Sequence, residues 1–483
     1  MNTAGLWMLV ALGVLVATTG LPVWALLIGV ASAAAAVGLA AGVFDTNVLA
    51  ALPTRIVNLL EHDLLQAMPL YVFVGLLLAR LPAADALYRT FAHALRRTGA
   101  GEPLAALATG AVIAPMNGSV AASSALLARL AGRRQAGGDA SGRVALAAAS
   151  ATLGVVVPPS LVLILLGDAM LRAHTEASNL PGYKLGAERI VNTQDVFNAA
   201  LLPGLAVLLL WALAAWWGAR RLPKTQAPSP SRGDVALTVF VVAGIAALLG
   251  GVLAGRLFAV EAAAAGACLL AAATLALRAL PWAAWREVLN DTLALSGALF
   301  ALLAGATTFS LVLRLFGTDR WLAGLVLHSP WPAHVTAAVV LAAVLACAWV
   351  LDAFEMIFVV VPVVAPLLVV ELGDARQVAV LLLLALQLGF LLPPLGYAVL
   401  MTRGLSAQHV GTRPLLRAIA PYAAVQLLVT VLVFAWPASV HFLGDAPPAP
   451  GTTPAESEDD LVQRMREMSP AETPDAPEPA APR

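Results

Sequence analysis

Thr152-Leu-Gly-Val-Val-Val-Pro158-Pro159-Ser160 and Leu388-Gly-Phe-Leu-Leu-Pro393-Pro394-Leu-Gly396 read as two copies of one element, and they decide the fold. Gly154 and Gly389 each precede a Pro-Pro pair by four residues, inside segments otherwise apolar enough to cross a bilayer. Proline has no backbone donor and clashes with the carbonyl four residues back, so neither segment can run as one helix. Non-helical backbone at membrane depth survives only where protein or a water-filled cavity satisfies the freed carbonyls. Matching breaks in the two halves of a membrane chain point to a transporter's binding site.

Each copy has a companion upstream. Pro115-Met-Asn117-Gly118-Ser119-Val-Ala-Ala-Ser123-Ser124 is a small, polar cluster, and Leu351-Asp352-Ala-Phe-Glu355 places two acids among apolar residues. The intervals to the prolines nearly agree, 40 from Gly118 to Pro158 and 41 from Asp352 to Pro393. Ionisable residues inside membrane segments are costly and mark function by default.

Composition sets the class. The chain is 60% hydrophobic and 12% charged, with a mean hydropathy of +0.86, beyond what a soluble chain of 483 residues buries. The expectation is an all-α polytopic membrane protein. Its 28 basic and 28 acidic residues cancel, which excludes nucleic acid as a partner on charge grounds. Cys268 and Cys347 lie in apolar runs without metal-ligand spacing and read as small core residues, a disulfide remaining open. Residues 5–17 resemble a signal-peptide core, but no basic residue precedes them and a second span follows at once, so they read as a retained first helix. No phosphate-binding loop, zinc motif or nucleophile elbow is present, and no histidine pair has metal spacing, so an enzyme is not expected. A membrane-embedded transferase is the remote alternative.

Charge order supplies topology. The apolar stretch 103–128 is flanked by Arg96 and Arg97 on one side and Arg129, Arg133 and Arg134 on the other. Both flanks read as cytoplasmic, so the stretch enters and returns as a re-entrant hairpin tipped at Gly118-Ser119. The stretch 334–370, tipped at Asp352 to Glu355, reads as a second hairpin from the opposite face. The reading comprises N-terminal scaffold helices (1–65) and a first inverted repeat (66–218) holding hairpin 103–128 and broken helix 144–172. A cytoplasmic linker (219–234) leads to the second half (235–443), with hairpin 334–370 and broken helix 377–402. Residues 444–483 form an acidic Pro/Ala-rich tail expected to be disordered, with nine acids against three arginines. Ten crossings place both termini outside the cytoplasm. Met68-Pro69 reads as the first turn of the span 66–80, residues 45–63 as a mixed polar stretch and residues 317–333 as an interfacial arm.

The chain resembles the large membrane subunit of TRAP transporters, the tripartite ATP-independent periplasmic class, from about Gly20 to about Leu443. The likeness is carried by Met68-Pro69-Leu-Tyr-Val-Phe-Val-Gly75, the two Pro-Pro elements, Phe197-Asn-Ala-Ala-Leu-Leu-Pro203-Gly204 and Leu351-Asp352. Leu166-Gly167-Asp168 and Gly305-Ala-Thr-Thr-Phe-Ser310 resemble the mannitol/chloroaromatic-like branch, whose relatives take 2-oxo and 2-hydroxy acids. Phe258-Ala-Val-Glu261 keeps only the acid of the family's Thr-x-x-Glu, and the first tip departs from the family's serine-rich form.

The resemblance implies an elevator-type importer in the bacterial inner membrane, driven by sodium, with no cofactor beyond that coupling ion. Its implied partners are a periplasmic substrate-binding protein and a four-helix small membrane subunit, a separate chain because the family-like region begins so near residue 1. A related carboxylate transporter working without a binding protein is the nearer alternative. Sodium wants oxygen ligands, which helix C-terminal ends and unwound carbonyls supply. One sodium site is therefore expected from Gly118, Ser119, Ser123, Thr152, Gly154 and Pro158, and a second from Asp352, Gly389 and Pro393. The substrate anion is expected between the tips, near Asn117, Glu355, Pro159, Pro394 and Gly396, against helix N-termini. Asp168 and Glu261 are expected to cap or pair.

Overall fold

The computed structural model describes residues 4–61, 63–117, 119–132, 139–158, 160–180, 183, 191–220, 229–392, 396–406 and 408–442. The tail expected to be disordered, 444–483, lies outside them.

Helices carry nearly all of the described chain, and no strand occurs among those residues. In order they are α1 (Ala4–Thr19), α2 (Val23–Ala40), α3 (Leu52–Leu60), α4 (Asp63–Arg80), α5 (Ala83–Ala94), α6 (Gly101–Asn117), α7 (Val120–Gly132), α8 (Ala140–Val156), α9 (Leu161–Ala177) and α10 (Thr193–Ala219). There follow α11 (Arg232–Leu253), α12 (Ala259–Ala276), α13 (Trp282–Leu315), α14 (Thr318–Leu327), α15 (Ala333–Cys347), α16 (Ala353–Leu372), α17 (Ala375–Leu391), α18 (Tyr397–Gly404) and α19 (Thr412–Ala435). Local chemistry sets several starts. Asn192 with Asp195 and Ser231 with Asp234 form reciprocal capping boxes, while Asp139 and Asp374 cap α8 and α17.

Helix bounds repeat along the chain. Ala83 and Thr318, Ala140 and Ala375, and Val156 and Leu391 begin or end equivalent helices, each pair 235 residues apart (318 − 83, 375 − 140, 391 − 156). Asn117 and Asp352, at the two tips, share that separation (352 − 117). In both halves a helix, a returning helix and a broken helix follow in the same order.

Burial separates an inner group from an outer one. Every residue of α17 except Arg376 is buried, as is nearly all of α8 after Arg143, and these two helices touch. α6 and α7 pack on α8, and α15 and α16 pack on α17. Outside them α13 lies along α2 and α4, and α12 along α4. Only 17% of the most apolar window of α11 and 28% of that of α19 is buried, so these apolar helices present most of their surface outward, as lipid-facing helices do. Ion pairs tie the outer helices: Arg80 to Glu287 and, at 3.1 Å, to Asp291, and Arg89 to Asp234 at 3.4 Å.

Seven described helices are long and apolar enough to cross a membrane, or nine if each of two bent pairs is one span. Charge order gives ten crossings, because it takes α16, one of the seven, as a hairpin arm and counts α1 and α17, of only 16 and 17 residues, as spans. The chain is a multi-pass membrane protein.

Three sequence expectations change. Pro69 lies inside α4, which already starts at Asp63, because a membrane helix tolerates an interior proline that its neighbours accommodate. The mixed polar stretch at 45–63 contains an amphipathic helix, α3, with apolar residues on one side and polar ones on the other. Cys268 and Cys347 are free and exposed rather than buried in a core, since an apolar residue in a bilayer can as well face lipid as protein.

Candidate functional site

At the first break α8 ends at Val156 and α9 starts at Leu161, with a bend of 42° between them. Pro158 and Pro159 remove the amides that would bond the carbonyls of Gly154 and Val155. Ser160 repairs half of this loss. Its hydroxyl donates to the Gly154 carbonyl at 2.5 Å and accepts from the Val162 amide at 3.1 Å, joining the end of one helix to the start of the next. Gly154 also lies against α6: a Cβ there would come within 2.5 Å of the Ala114 carbonyl oxygen. The break and the first tip are thus one packed unit.

On that tip Ser119 caps α7, its carbonyl accepting from Ser123 at 3.1 Å and its hydroxyl from Ala122 at 3.4 Å. Ser123 is buried beside Ser124. The Thr152 hydroxyl donates to the Ala149 carbonyl at 2.9 Å and keeps its lone pairs. Gly118, Pro159 and the Asn117 side chain lie outside the described residues.

The second unit repeats the plan with different chemistry. α17 ends at Leu391 and α18 starts at Tyr397; Pro393 and Pro394 lie outside the described residues, but as prolines they withhold donors from the Gly389 and Phe390 carbonyls. Gly389 packs on α15, where a Cβ would meet Ala348 Cβ at 2.6 Å and the Leu345 carbonyl oxygen at 2.9 Å. Position 395, equivalent to Ser160 by the 235-residue spacing, is leucine, so no hydroxyl stands there. The Gly396 amide donates to the Leu392 carbonyl at 3.0 Å.

At the second tip the Asp352 amide donates to the Glu355 carboxylate at 3.0 Å. Asp352 Oδ1 is buried and has no hydrogen-bond partner among the described residues. Past Glu355 the helix widens into a π-type turn over Met356–Val360, a distortion frequent at functional sites. Tyr397 packs against Phe390 with the rings tilted by 49° and their centres 5.9 Å apart, within electrostatic reach of Asp352 and Glu355. The second tip and second break therefore meet, and Gly396 borders them.

Asp168 pairs with Arg172 on α9, and Glu261 accepts from the Phe258 amide at 2.9 Å, capping α12. The sequence reading quoted Ser160 without assigning it, although serine directly after Pro-Pro is a helix-cap signal. Tyr397 carried no signal of its own; only packing brings it within electrostatic reach of the acids.

The close contacts make a direct prediction. Gly154→Ala or Gly389→Ala forces a methyl into backbone, an overpacking cost of about 1–3 kcal/mol. Each variant is expected to unfold at lower temperature in detergent than the parent, whereas Gly13→Ala, where a Cβ meets nothing within 4 Å, is not.

Apolar helices broken at equivalent places, each against a polar re-entrant tip, define a membrane transporter rather than an enzyme. Residues 9–439 match the family model described as tripartite ATP-independent periplasmic transporter, DctM component, and the chain belongs to that family. A curated relative, the C4-dicarboxylate TRAP transporter large permease protein DctM of Pseudomonas aeruginosa, is 24% identical over 411 residues, covering 82% of this chain and 89% of that one. Among solved structures, the YdaH transporter of Alcanivorax borkumensis has a TM-score of 0.55 at 17% identity, covering 83% of this chain and 91% of its own. MtrF of Neisseria gonorrhoeae, whose structure illuminates a class of antimetabolite efflux pumps, has a TM-score of 0.50 at 12% identity, covering 80% of this chain and 83% of its own. These two structures share the fold.

Proposed function

We propose that this permease imports a small organic acid, coupled to sodium, by elevator motion of the inner helix group against the outer one. The observation that carries the reading is the pairing of each polar tip with a broken helix whose prolines withhold backbone donors from carbonyl oxygens, Val155 and Gly154 (the latter taking the Ser160 hydroxyl instead) in one half, Gly389 and Phe390 in the other. Sodium takes oxygen ligands of this kind without needing a full counter-charge at each site. The first site uses Gly118, Ser119, Ser123, Thr152, Gly154 and Pro158; the second uses Asp352, Gly389 and Pro393. The substrate lies between the tips. The family name supports one membrane and one periplasmic partner: a separate four-helix small subunit and a binding protein that delivers the acid.

The branch resemblance favours a 2-oxo or 2-hydroxy acid, while the curated relative is named for C4-dicarboxylates, so both classes belong in the assay. Proteoliposomes holding the permease and its small subunit are expected to take up the cognate acid only with a sodium gradient and the binding protein. Uptake by this chain alone, or with protons replacing sodium, overturns the reading.

The location is the bacterial inner membrane with both termini periplasmic. Single cysteines at positions 96, 220 and 413 are expected to resist an impermeant thiol reagent in intact cells with a permeabilised outer membrane, and one at 184 to react. Labelling at 96 from outside would refute the orientation.

A further inference from the structure

The backbone amides just before the second tip are occupied, and one side-chain donor beside them is not. A helix N-terminus attracts an anion through its free amides. Here the Asp352 amide is spent on the Glu355 carboxylate, and two acids already occupy the first turn. The amides of the preceding turn are spent as well: Ala348 donates to Val344, Trp349 to Ala346, and Val350 and Leu351 to Cys347, at 3.0–3.2 Å. A side-chain donor at the same tip is the indole of Trp349. Its Nε1 is buried yet has no hydrogen-bond acceptor among the described residues. Buried tryptophan N–H groups nearly always find a partner, and an N–H can serve only an acceptor, never a cation.

Trp349 is placed where an acceptor is needed. Its neighbour Ala348 is the residue packed on Gly389, at the second break. Three residues on, Asp352 Oδ1 is the complementary orphan, an acceptor with no donor among the described residues. One tip thus holds an unpaired anionic oxygen and an unpaired neutral donor. The equivalent of Trp349 in the first half, 235 residues earlier, is Ala114, so the donor belongs to one half alone (349 − 114).

We propose that the Trp349 indole N–H is the second tip's hydrogen-bond donor to a carboxylate oxygen of the substrate, Asp352 serving the cation beside it. The proposal rests on the transport reading above and extends it to a substrate contact. Because Nε1 is sealed from water in this structure, the tip turn must open for the contact to form, and the liganded tip satisfies both orphans together.

The test is equilibrium binding of radiolabelled succinate and pyruvate to the purified permease–small-subunit complex in saturating sodium. Trp349→Phe keeps an aromatic ring and loses the N–H; Trp349→His keeps a ring N–H. Phe is expected to weaken binding of whichever acid the parent takes by about tenfold or more, the weight of a charge-assisted hydrogen bond. The sodium concentration for half-maximal thermal stabilisation without substrate should stay at the parent value, and His should recover at least part of the affinity. Parent-like affinity in Phe overturns the proposal, as does equal impairment of Phe and His, which would make Trp349 a packing residue. If Phe fails to assemble, the His variant decides: near-parent affinity supports the donor role, and loss of binding overturns it. Sodium-dependent binding of neither acid to the parent overturns the proposal for these carboxylates; separate failure of sodium-driven uptake in proteoliposomes removes the transport reading itself.

Discussion

Asp352→Asn is expected to abolish sodium-dependent uptake while leaving the permease folded. Asparagine matches aspartate in shape and as a helix cap, so α16 should still start at the same place. What disappears is the negative charge on a buried carboxylate whose Oδ1 has no partner among the described residues. Removing one member of a buried ion pair costs about 3–5 kcal/mol, a factor of about 100 or more in cation affinity. Sodium-titrated uptake and sodium-induced thermal stabilisation are the measurements. Glu355→Gln should do less, because Glu355 accepts from the Asp352 amide and an amide oxygen can replace it. An Asp352→Asn protein with the parent's sodium dependence would exclude the acid from the ion site, and the second site would then rest on carbonyls alone.

The second large effect is expected from Pro393→Ala with Pro394→Ala. Each exchange relieves about 3 kcal/mol of helix-breaking penalty and restores a donor. The new amides would bond the carbonyls of Gly389 and Phe390, so α17 would run on toward α18 with those oxygens unavailable to sodium. Folding should survive, since a continuous apolar helix is stable in a bilayer, and apparent sodium affinity should fall by about tenfold or more. The equivalent change at Pro158 and Pro159 is expected to be milder. There Ser160 already occupies the Gly154 carbonyl, so only the Val155 oxygen is newly lost. Sodium-dependent uptake corrected for expression compares the pairs. Normal sodium dependence in both would reduce the Pro-Pro elements to packing kinks. Equal loss in both would show that Ser160 does not protect the first site.

Proline and charge made part of this molecule legible in advance. A Pro-Pro pair withholds two donors whatever surrounds it, so breaks at 158–159 and 393–394 follow from covalent structure, and α8 and α17 do end just before them. Acids and small polar residues between apolar runs mark the tips for the same local reason: α6 stops at Asn117, and α16 starts after Asp352. Tertiary structure alone decided what each apolar surface faces, because lipid and protein interior are nearly equivalent to an apolar side chain. Cys268 and Cys347 therefore read as core and lie outside, while the apolar side chains of α17 are sealed on every side. Packing also brought together residues whose sequence positions carry no mutual signal: Gly154 on Ala114, Gly389 on Ala348, and Tyr397 within electrostatic reach of Asp352 and Glu355. Such contacts depend on the crossing of helices far apart in the chain, and no local propensity encodes where two crossing helices will touch.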